Sequence, residues 1–192
     1  MNSAPAMHTQ ALIFDCDGTL ADTMPAHYRA WVDVLGRHGI PFPEERFYAL
    51  AGTPTREIIR LLAADAGVTV DIPTLVRAKE DAFLVQIAEV VPITRVVDIA
   101  RAARGVHPMA VASGGQRRIV ERTLAQIGIL DWFGALVSAE DTIKHKPDPD
   151  LFLEAARRLG VPPKICTVYE DADLGIEAAK RAGMKWVDVR VM

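Results

Sequence analysis

A short apolar segment that ends in two acidic residues is the most constraining feature of this sequence. The segment from Ala11 to Phe14 has the length and composition of a fully buried strand. Asp15 and Asp17 follow it, and Gly18 permits a sharp turn directly afterwards. Side chains two residues apart lie on one face of an extended chain, so the two carboxylates project together if the chain stays extended. Carboxylates in apolar surroundings are costly unless they are paired or bind a cation. The alternative is a strand end with solvated acids.

The sequence between residues 22 and 90 predicts helices only. The expected helices run from about Pro25 to His38, from Pro43 to about Leu50, from Thr53 or Thr55 onward, and from about Pro73 to Glu89. An all-helical block that separates strands indicates a helical insertion and not a continuing alternation of strands and helices.

From Thr94 onward the sequence alternates helices with short apolar strands. Strands are predicted at residues 108–112, 135–137, 165–169 and 185–189. With the first strand they form a parallel sheet that carries helices on both faces. The predicted fold class is therefore α/β, with a Rossmann-like core of residues 1–21 and 91–192 and a small all-helical domain of residues 22–90.

Reactive polar side chains follow four successive strands of this predicted sheet. Ligands of such sheets bind at the carboxyl ends of the strands, so we expect these side chains to form one site. In chain order they are Asp15, Asp17, Ser113, Lys146, Glu170 and Asp171.

The segment Asp15-Cys16-Asp17-Gly18-Thr19-Leu20 resembles the first motif of the haloacid dehalogenase superfamily, D-x-D-G-T-[LV]. All four motifs of the superfamily occur in order, and the resemblance extends from Ala11 to about Val189. The D-T-x-P-x-H segment around His27 and the E-D-A-D-x-G-I segment at Glu170 are similar to the subgroup of β-phosphoglucomutase and the sugar-phosphate phosphatases. The resemblance implies that residues 22–90 form a cap that closes over the site and selects the substrate.

These groups suit phosphoryl transfer, which needs an in-line nucleophile and neutralisation of the phosphoryl oxygens. Asp15 can attack phosphorus to form an aspartyl-phosphate, and Asp17 can act as general acid and then as general base, the roles that the resemblance implies. Ser113 and the backbone N–H groups at Gly114 can hold phosphate oxygens, helped by a helix N-terminus. Lys146, which precedes Pro-x-Pro as in the family, can pair with Asp15 and the phosphate; Lys144 is the competing choice.

A cation is required because carboxylates would otherwise repel a dianionic phosphate. Mg²⁺ fits, since it prefers oxygen ligands and accepts carboxylates together with substrate phosphate. Asp15 and Asp171 are the first choices as ligands, and Glu170 joins directly or through water. The resemblance implies that Asp17 contributes its backbone carbonyl.

Three residues of the cap are candidate substrate contacts. His27 matches the D-T-x-x-x-H pattern of the subgroup, and its alternative is a capping or surface histidine. Arg56 follows a loop one residue longer than the Gly-x-Ser-Arg pattern of the mutases, so its register is open and an exposed helix position is the alternative. Lys79 aligns loosely with a mutase lysine that contacts substrate phosphate, or else lies on the surface.

The composition excludes several classes of partner. A net charge of −3 provides no broad basic surface for nucleic acid. No segment of about 18 apolar residues predicts a membrane span. Met1 to Gln10 lacks the features of a signal peptide, and the two cysteines, Cys16 and Cys166, form no disulfide framework or metal motif. We therefore expect a cytoplasmic monomer that acts on a small phosphorylated metabolite.

The combined prediction is a Mg²⁺-dependent phosphatase that hydrolyses a sugar phosphate, such as fructose 1-phosphate, through an aspartyl-phosphate. The first alternative is a β-phosphoglucomutase, which shares the nucleophile and acid but transfers the phosphoryl group to a second sugar hydroxyl. A haloacid dehalogenase is disfavoured because those relatives lack the second acid, here Asp17. A non-catalytic binding module is disfavoured by the intact acids, Ser113 and Lys146.

Overall fold

A parallel five-stranded sheet forms the centre of the computed structural model, which describes residues 10–192. The strand order is β5-β4-β1-β6-β7, so the first strand of the chain is the middle strand of the sheet. The predicted parallel α/β core is confirmed, and each strand lies within about one residue of its predicted position. The strands are β1 (Ala11–Phe14), β4 (Met109–Ala112), β5 (Ala135–Val137), β6 (Cys166–Glu170) and β7 (Lys185–Asp188).

Helices cover both faces of the sheet, and β1 contributes side chains to each. Ala11 and Ile13 pack against α7 (Asp150–Leu159) and α8 (Asp173–Arg181). Leu12 and Phe14 belong to the opposite cluster, which includes α5 (Thr94–Ala103) and α6 (Arg117–Gln126). Because successive strand residues point to opposite faces, a strand buried on both sides is a continuous apolar run, as residues 11–14 are.

The four helices between residues 24 and 85, which we call the cap, have a hydrophobic core of their own. Trp31, Phe47, Ile59 and Leu62 lie in this core. The last predicted helix is shorter than expected, because the regular helix ends at Val85 and residues 87–89 form a separate 3₁₀ turn. The helices are α1 (Met24–Gly36), α2 (Glu44–Ala49), α3 (Thr55–Ala66) and α4 (Ile72–Val85).

A two-stranded antiparallel ribbon joins the cap to the core. Its strands, β2 (Ala21–Asp22) and β3 (Val91–Pro92), lie where the chain leaves the core and where it returns. The predicted boundary between residues 21 and 22 falls inside β2, and the one between residues 90 and 91 falls at the start of β3; the division into two domains stays a prediction. Residues 1–9 of the predicted core lie outside the described residues. Over residues 10–192, no helix combines the length and the apolar character needed to cross a bilayer.

Candidate active site

The carboxyl edge of the sheet and the inner side of the cap enclose one pocket, which we call the central pocket. Asp15 continues the pairing of β1, because its backbone N–H donates to the carbonyl of Tyr169 at 3.0 Å. Ser113 is placed in the same way by the carbonyl of Val137, also at 3.0 Å. The sheet itself therefore fixes where these side chains emerge. The predicted site residues that line the central pocket are Asp15, Asp17, His27, Lys79, Ser113, Gly114, Glu170 and Asp171.

Lys146 is buried at one side of this pocket and joins two of its acids. Its Nζ donates to Oδ1 of Asp15 at 2.6 Å and to Oε2 of Glu170 at 2.7 Å. Although burial lowers the pKa of Lys146, the ion pairs with Asp15 and Glu170 raise that pKa above its usual value. The ammonium group is therefore charged at any physiological pH and holds Asp15 in one orientation.

Three carboxylates, those of Asp15, Glu170 and Asp171, form a compact acidic cluster whose ligand atoms lie within 4.8 Å of one another. Burial and the charge of Glu170 raise the pKa of Asp15 well above its usual value. The same two causes raise the pKa of Asp171 to about 7, against the lowering effect of the Thr19 hydroxyl, which donates to it at 2.8 Å. A divalent cation would relieve this mutual repulsion, so the donor set fits an oxygen-preferring metal such as Mg²⁺.

Two glycines leave room for the acidic cluster. A Cβ atom at Gly18 would lie 2.2 Å from Oδ2 of Asp171, and Gly18 also has a φ of +81°. A Cβ atom at Gly175, in the first turn of α8, would lie 2.1 Å from Cδ of Glu170. Both glycines are therefore required by close approach to a candidate metal ligand.

Asp17 is held by side chains from the segment that enters the cap. Oδ1 of Asp17 accepts a hydrogen bond from the Thr23 hydroxyl at 2.8 Å and lies 3.2 Å from Nε2 of His27. Although burial raises the pKa of Asp17, the contacts with His27 and Thr23 lower that pKa to about 2. Asp17 is therefore ionised at neutral pH in this arrangement, which is the state of a base.

His27 lies between Asp17 and a buried lysine. Nζ of Lys79 lies 3.0 Å from Nδ1 of His27, and because an ammonium group can only donate, Nδ1 is the acceptor. Nε2 then carries the proton that is donated to Asp17. Burial, and next the charge of Lys79, lower the pKa of His27, which keeps the imidazole neutral. The alternatives of a surface histidine and a surface lysine are wrong, since both side chains are buried.

The expected helix N-terminus beside Ser113 is displaced. The helix α6 begins at Arg117, and the backbone N–H of Arg117 already donates to the carboxylate of Glu140 at 3.0 and 3.1 Å. The predicted start of the helix directly after Ser113 was therefore wrong, whereas the predicted binding of phosphate by Ser113 and Gly114 stays a prediction. The N–H of Gly115 donates to the Ser113 hydroxyl at 3.0 Å, so the loop and not the helix shapes this side of the pocket.

Arg56 does not line the central pocket. It is exposed and borders a neighbouring cavity between the cap loop and the loop that carries Lys146. Its predicted contact with substrate stays a prediction.

Three residues in or beside the site were not predicted to have a part in it. Thr19 and Thr23 lie inside quoted motifs, so the motifs themselves contained the signal. Thr23 does precede α1, but its hydroxyl makes no capping bond and serves Asp17 instead. Glu80 follows Lys79 in α4 and is buried beside it, and no pattern in the sequence distinguished it from a surface acid.

Comparison with known proteins identifies the family. The sequence model that describes the family of haloacid dehalogenase-like hydrolases matches residues 9–183 of this chain. The chain belongs to the haloacid dehalogenase-like hydrolases. This result confirms the family predicted from the motifs, and it makes the protein an enzyme of that family.

Similarity to individual hydrolases and mutases extends over nearly the whole chain. The fructose-1-phosphate phosphatase YqaB of Escherichia coli K12 is 41% identical over 181 residues, which cover 94% of this chain and 96% of YqaB. The β-phosphoglucomutase of Bacillus subtilis is 31% identical over 187 residues, covering 94% of this chain and 83% of the mutase. The crystal structure of β-phosphoglucomutase from Clostridium difficile superposes with a TM-score of 0.85 at 25% identity, covering 94% of this chain and 84% of that one.

Proposed function

We propose that this hydrolase is a Mg²⁺-dependent phosphatase that acts on a small sugar phosphate, such as fructose 1-phosphate. The observation that carries the proposal is the position of Asp15, a buried carboxylate that Lys146 fixes at the edge of the sheet. Asp17, Glu170 and Asp171 line the same pocket. The 41% identity with YqaB supports the choice of substrate class.

Asp15 is the proposed nucleophile. With Lys146 bound to Oδ1, the carboxylate of Asp15 forms a bond to phosphorus as the bond from phosphorus to the sugar oxygen breaks, which leaves an aspartyl-phosphate. Water then attacks that phosphorus and frees the Asp15 carboxylate and inorganic phosphate. Ser113 and Gly114 are the proposed contacts of the phosphate oxygens.

Asp17 is the proposed acid and base. In the first step it gives a proton to the sugar oxygen that leaves, and in the second it takes a proton from the attacking water. Its low pKa suits the second step. A dianionic phosphate bound beside Asp17 would raise that pKa, because a nearby negative charge disfavours the ionised form, and this provides the protonated form for the first step.

The acidic cluster is the proposed binding site of the metal. Asp15, Glu170 and Asp171 would hold the Mg²⁺ ion, together with the backbone carbonyl of Asp17 as the family resemblance implies. When bound, the ion supplies positive charge that offsets the phosphate and the surrounding carboxylates.

We further propose that residues 22–90 close over the site, with His27 positioning Asp17 and with Arg56 and Lys79 as candidate substrate contacts. The monomeric state and the cytoplasmic location stay predictions.

The proposal is tested by measuring phosphate release with Mg²⁺ from a panel of sugar phosphates that includes fructose 1-phosphate. We expect Asp15→Asn to abolish turnover, whereas Asp131→Asn, at an exposed position, should be as active as the wild type. EDTA should stop the reaction and added Mg²⁺ should restore it. A fully active Asp15→Asn variant would remove Asp15 as nucleophile, and an unchanged rate in EDTA would exclude the metal.

A β-phosphoglucomutase is the second candidate, favoured by the similarity to the Bacillus subtilis and Clostridium difficile mutases. The two functions differ in whether water or a second sugar hydroxyl receives the phosphoryl group. With β-glucose 1-phosphate as substrate, a phosphatase releases phosphate without isomerised product. Formation of glucose 6-phosphate with little free phosphate would establish the mutase instead.

A further inference from the structure

The central pocket contains a carboxylate of the cap, Glu80, that the proposed function does not use. Glu80 lies in α4, is 3% exposed, and lines the pocket together with Asp15 and Ser113. Its neighbour Lys79 is similarly buried. Burial of a carboxylate costs free energy unless the group is well paired, so we expect the carboxylate of Glu80 to have hydrogen-bond donors around it.

The partners of Glu80 within the described chain do not fill its capacity to accept hydrogen bonds. The Thr55 hydroxyl donates to Oε1 at 2.7 Å. Nζ of Lys79 lies 3.4 Å from each carboxylate oxygen, near the limit for a hydrogen bond. An ionised carboxylate has about four acceptor positions, so Glu80 retains positions for donors supplied from the pocket.

Lys79 does not offer a free positive charge to the pocket. Its nearest polar contact is Nδ1 of His27 at 3.0 Å, and its Nζ lies 5.2 Å from the centre of the Trp31 ring. Among the residues that the structure describes, Lys79 is the only lysine or arginine that lines the central pocket. On the cap side of the pocket, the ammonium group of Lys79 is therefore already engaged by His27 and Glu80, and the described residues add no further cation there.

We propose that Glu80 determines substrate specificity by accepting hydrogen bonds from hydroxyl groups of the non-phosphorylated end of the sugar. A neutral polyhydroxyl group supplies the donors that the carboxylate lacks. A second phosphate or a carboxylate at that end meets the charge of Glu80 without a free cation to offset it, and like charges in a desolvated site disfavour binding. The substrate class is thus a sugar monophosphate with an uncharged distal end. This inference rests on the proposed function.

The test compares kcat/KM for fructose 1-phosphate with kcat/KM for fructose 1,6-bisphosphate. We expect the wild type to prefer the monophosphate by at least about tenfold. Glu80→Gln removes the charge at nearly constant shape, and we expect it to reduce that preference at least about tenfold. Glu80→Asp keeps the charge and should keep the preference. Glu57→Gln, at an exposed carboxylate of the cap helix α3 that pairs with Arg60, is the matched control and should not change it.

The outcomes separate the two proposals. Wild-type protein that hydrolyses neither compound but forms glucose 6-phosphate from β-glucose 1-phosphate contradicts the phosphatase. Wild-type protein that hydrolyses both compounds equally well overturns the role of Glu80 and leaves the phosphatase intact, without reference to any variant. A preference that is unchanged in a folded Glu80→Gln protein, with folding checked by its thermal unfolding midpoint, overturns the role of Glu80 as well.

Discussion

At the residue scale, the ionisation of Asp17 is controlled by Thr23 and His27, which follow it closely in the sequence and lower its pKa. Thr23 has no exposed surface and donates to Asp17 from the position before α1. Its hydroxyl therefore acts on the proposed acid–base carboxylate through a hydrogen bond, and we regard Thr23 as a positioning residue.

Replacing Thr23 by valine removes this donor at nearly constant shape. Hydrogen bonds to charged groups contribute about 1.5–3 kcal/mol, so we expect turnover to fall about tenfold or more. Without the donor the pKa of Asp17 rises, and the loss of activity on the acid side of the pH profile should move to higher pH. Thr23→Ser keeps the hydroxyl and should restore both quantities. Steady-state kinetics over a range of pH measure this effect.

Thr123→Val is the matched control for the threonine prediction. Thr123 is also fully buried, in α6, but its hydroxyl has no hydrogen-bond partner among the described residues. We expect the control to keep the wild-type pH profile. A Thr23→Val enzyme with the wild-type rate and profile would show that His27 alone suffices to position Asp17.

Much of the site could be predicted at this scale because its residues occupy fixed places in motifs at strand ends. Asp15, Lys146 and Asp171 follow strands whose positions the apolar runs define, so the sheet brings them together. Thr23 and Glu80 could not be assigned a partner, because their contacts depend on how the cap packs on the core. Threonine before a helix usually caps it, and here tertiary contact replaced that local role.

At the scale of elements, the helices and longer strands follow the sequence closely, whereas the shortest elements do not. Periodicity over ten or more residues identifies α1, which has nearly the predicted bounds. The strands β2 and β3 have two residues each and hence no periodic pattern. The start of α6 was placed too early because Ser-Gly-Gly is also a common entry to a helix, while here the chain remains a loop as far as Gln116.

The contact between the cap loop and the core loop depends on a glycine. A Cβ atom at Gly114 would lie 2.9 Å from the carbonyl oxygen of Gly52, closer than side chains ordinarily approach backbone. Gly114→Ala should push the cap loop outward, and we expect kcat/KM to fall about tenfold or more. Overpacking of this kind costs about 1–3 kcal/mol, unless the loop opens and avoids the clash.

Gly36→Ala is the control for this contact. Gly36 is the last residue of α1, and a Cβ atom there would have no neighbour within 4 Å. Alanine in a helix is favoured over glycine by about 0.5–1 kcal/mol, so the control should be fully active and at least as stable. Urea unfolding and steady-state kinetics are the measurements. Full activity of Gly114→Ala would show that the loops do not need this close approach during turnover.

At the scale of the whole molecule, one carboxylate ties three elements of the core together away from the active site. Asp141, in the loop after β5, accepts hydrogen bonds from the N–H and hydroxyl of Ser138, from Arg117 in α6 and from Arg158 in α7. Although burial raises the pKa of Asp141, the bonds from Arg158 and Ser138 lower it well below its usual range.

Asp141→Asn should lower the free energy of unfolding at pH 7 by about 1.5–3 kcal/mol, as expected for loss of hydrogen bonds to a charged group. Because the pKa of Asp141 is lower in the folded than in the unfolded state, its contribution is present above the unfolded value. It is lost as the pH falls below about 4. The difference between variant and wild type should therefore shrink in acid.

Chemical denaturation at neutral and acidic pH measures this difference. Asp33→Asn is the control, since Asp33 is half-exposed and, among residues 10–192, pairs only with Arg37, the residue that follows α1. Exposed pairs of this kind contribute about 0.3–0.5 kcal/mol, so the control should differ little from the wild type at either pH. A difference for Asp141→Asn that persists unchanged in acid would contradict the electrostatic explanation.

The ribbon of β2 and β3 brings the two ends of the cap segment together, which is the geometry that permits one inserted segment to be replaced by another. Ala21 pairs with Pro92 and Asp22 with Val91, so the chain leaves and re-enters the core through neighbouring residues. Insertions whose two ends lie side by side place little constraint on the host, and other segments could be grafted at this point. A protein with such a graft would keep Asp15, the proposed nucleophile, but would lose the hydrogen bonds that lower the pKa of Asp17, because Thr23 and His27 belong to the replaced segment. A segment that replaces the cap and changes the substrate selectivity must therefore supply its own hydrogen bonds to Asp17.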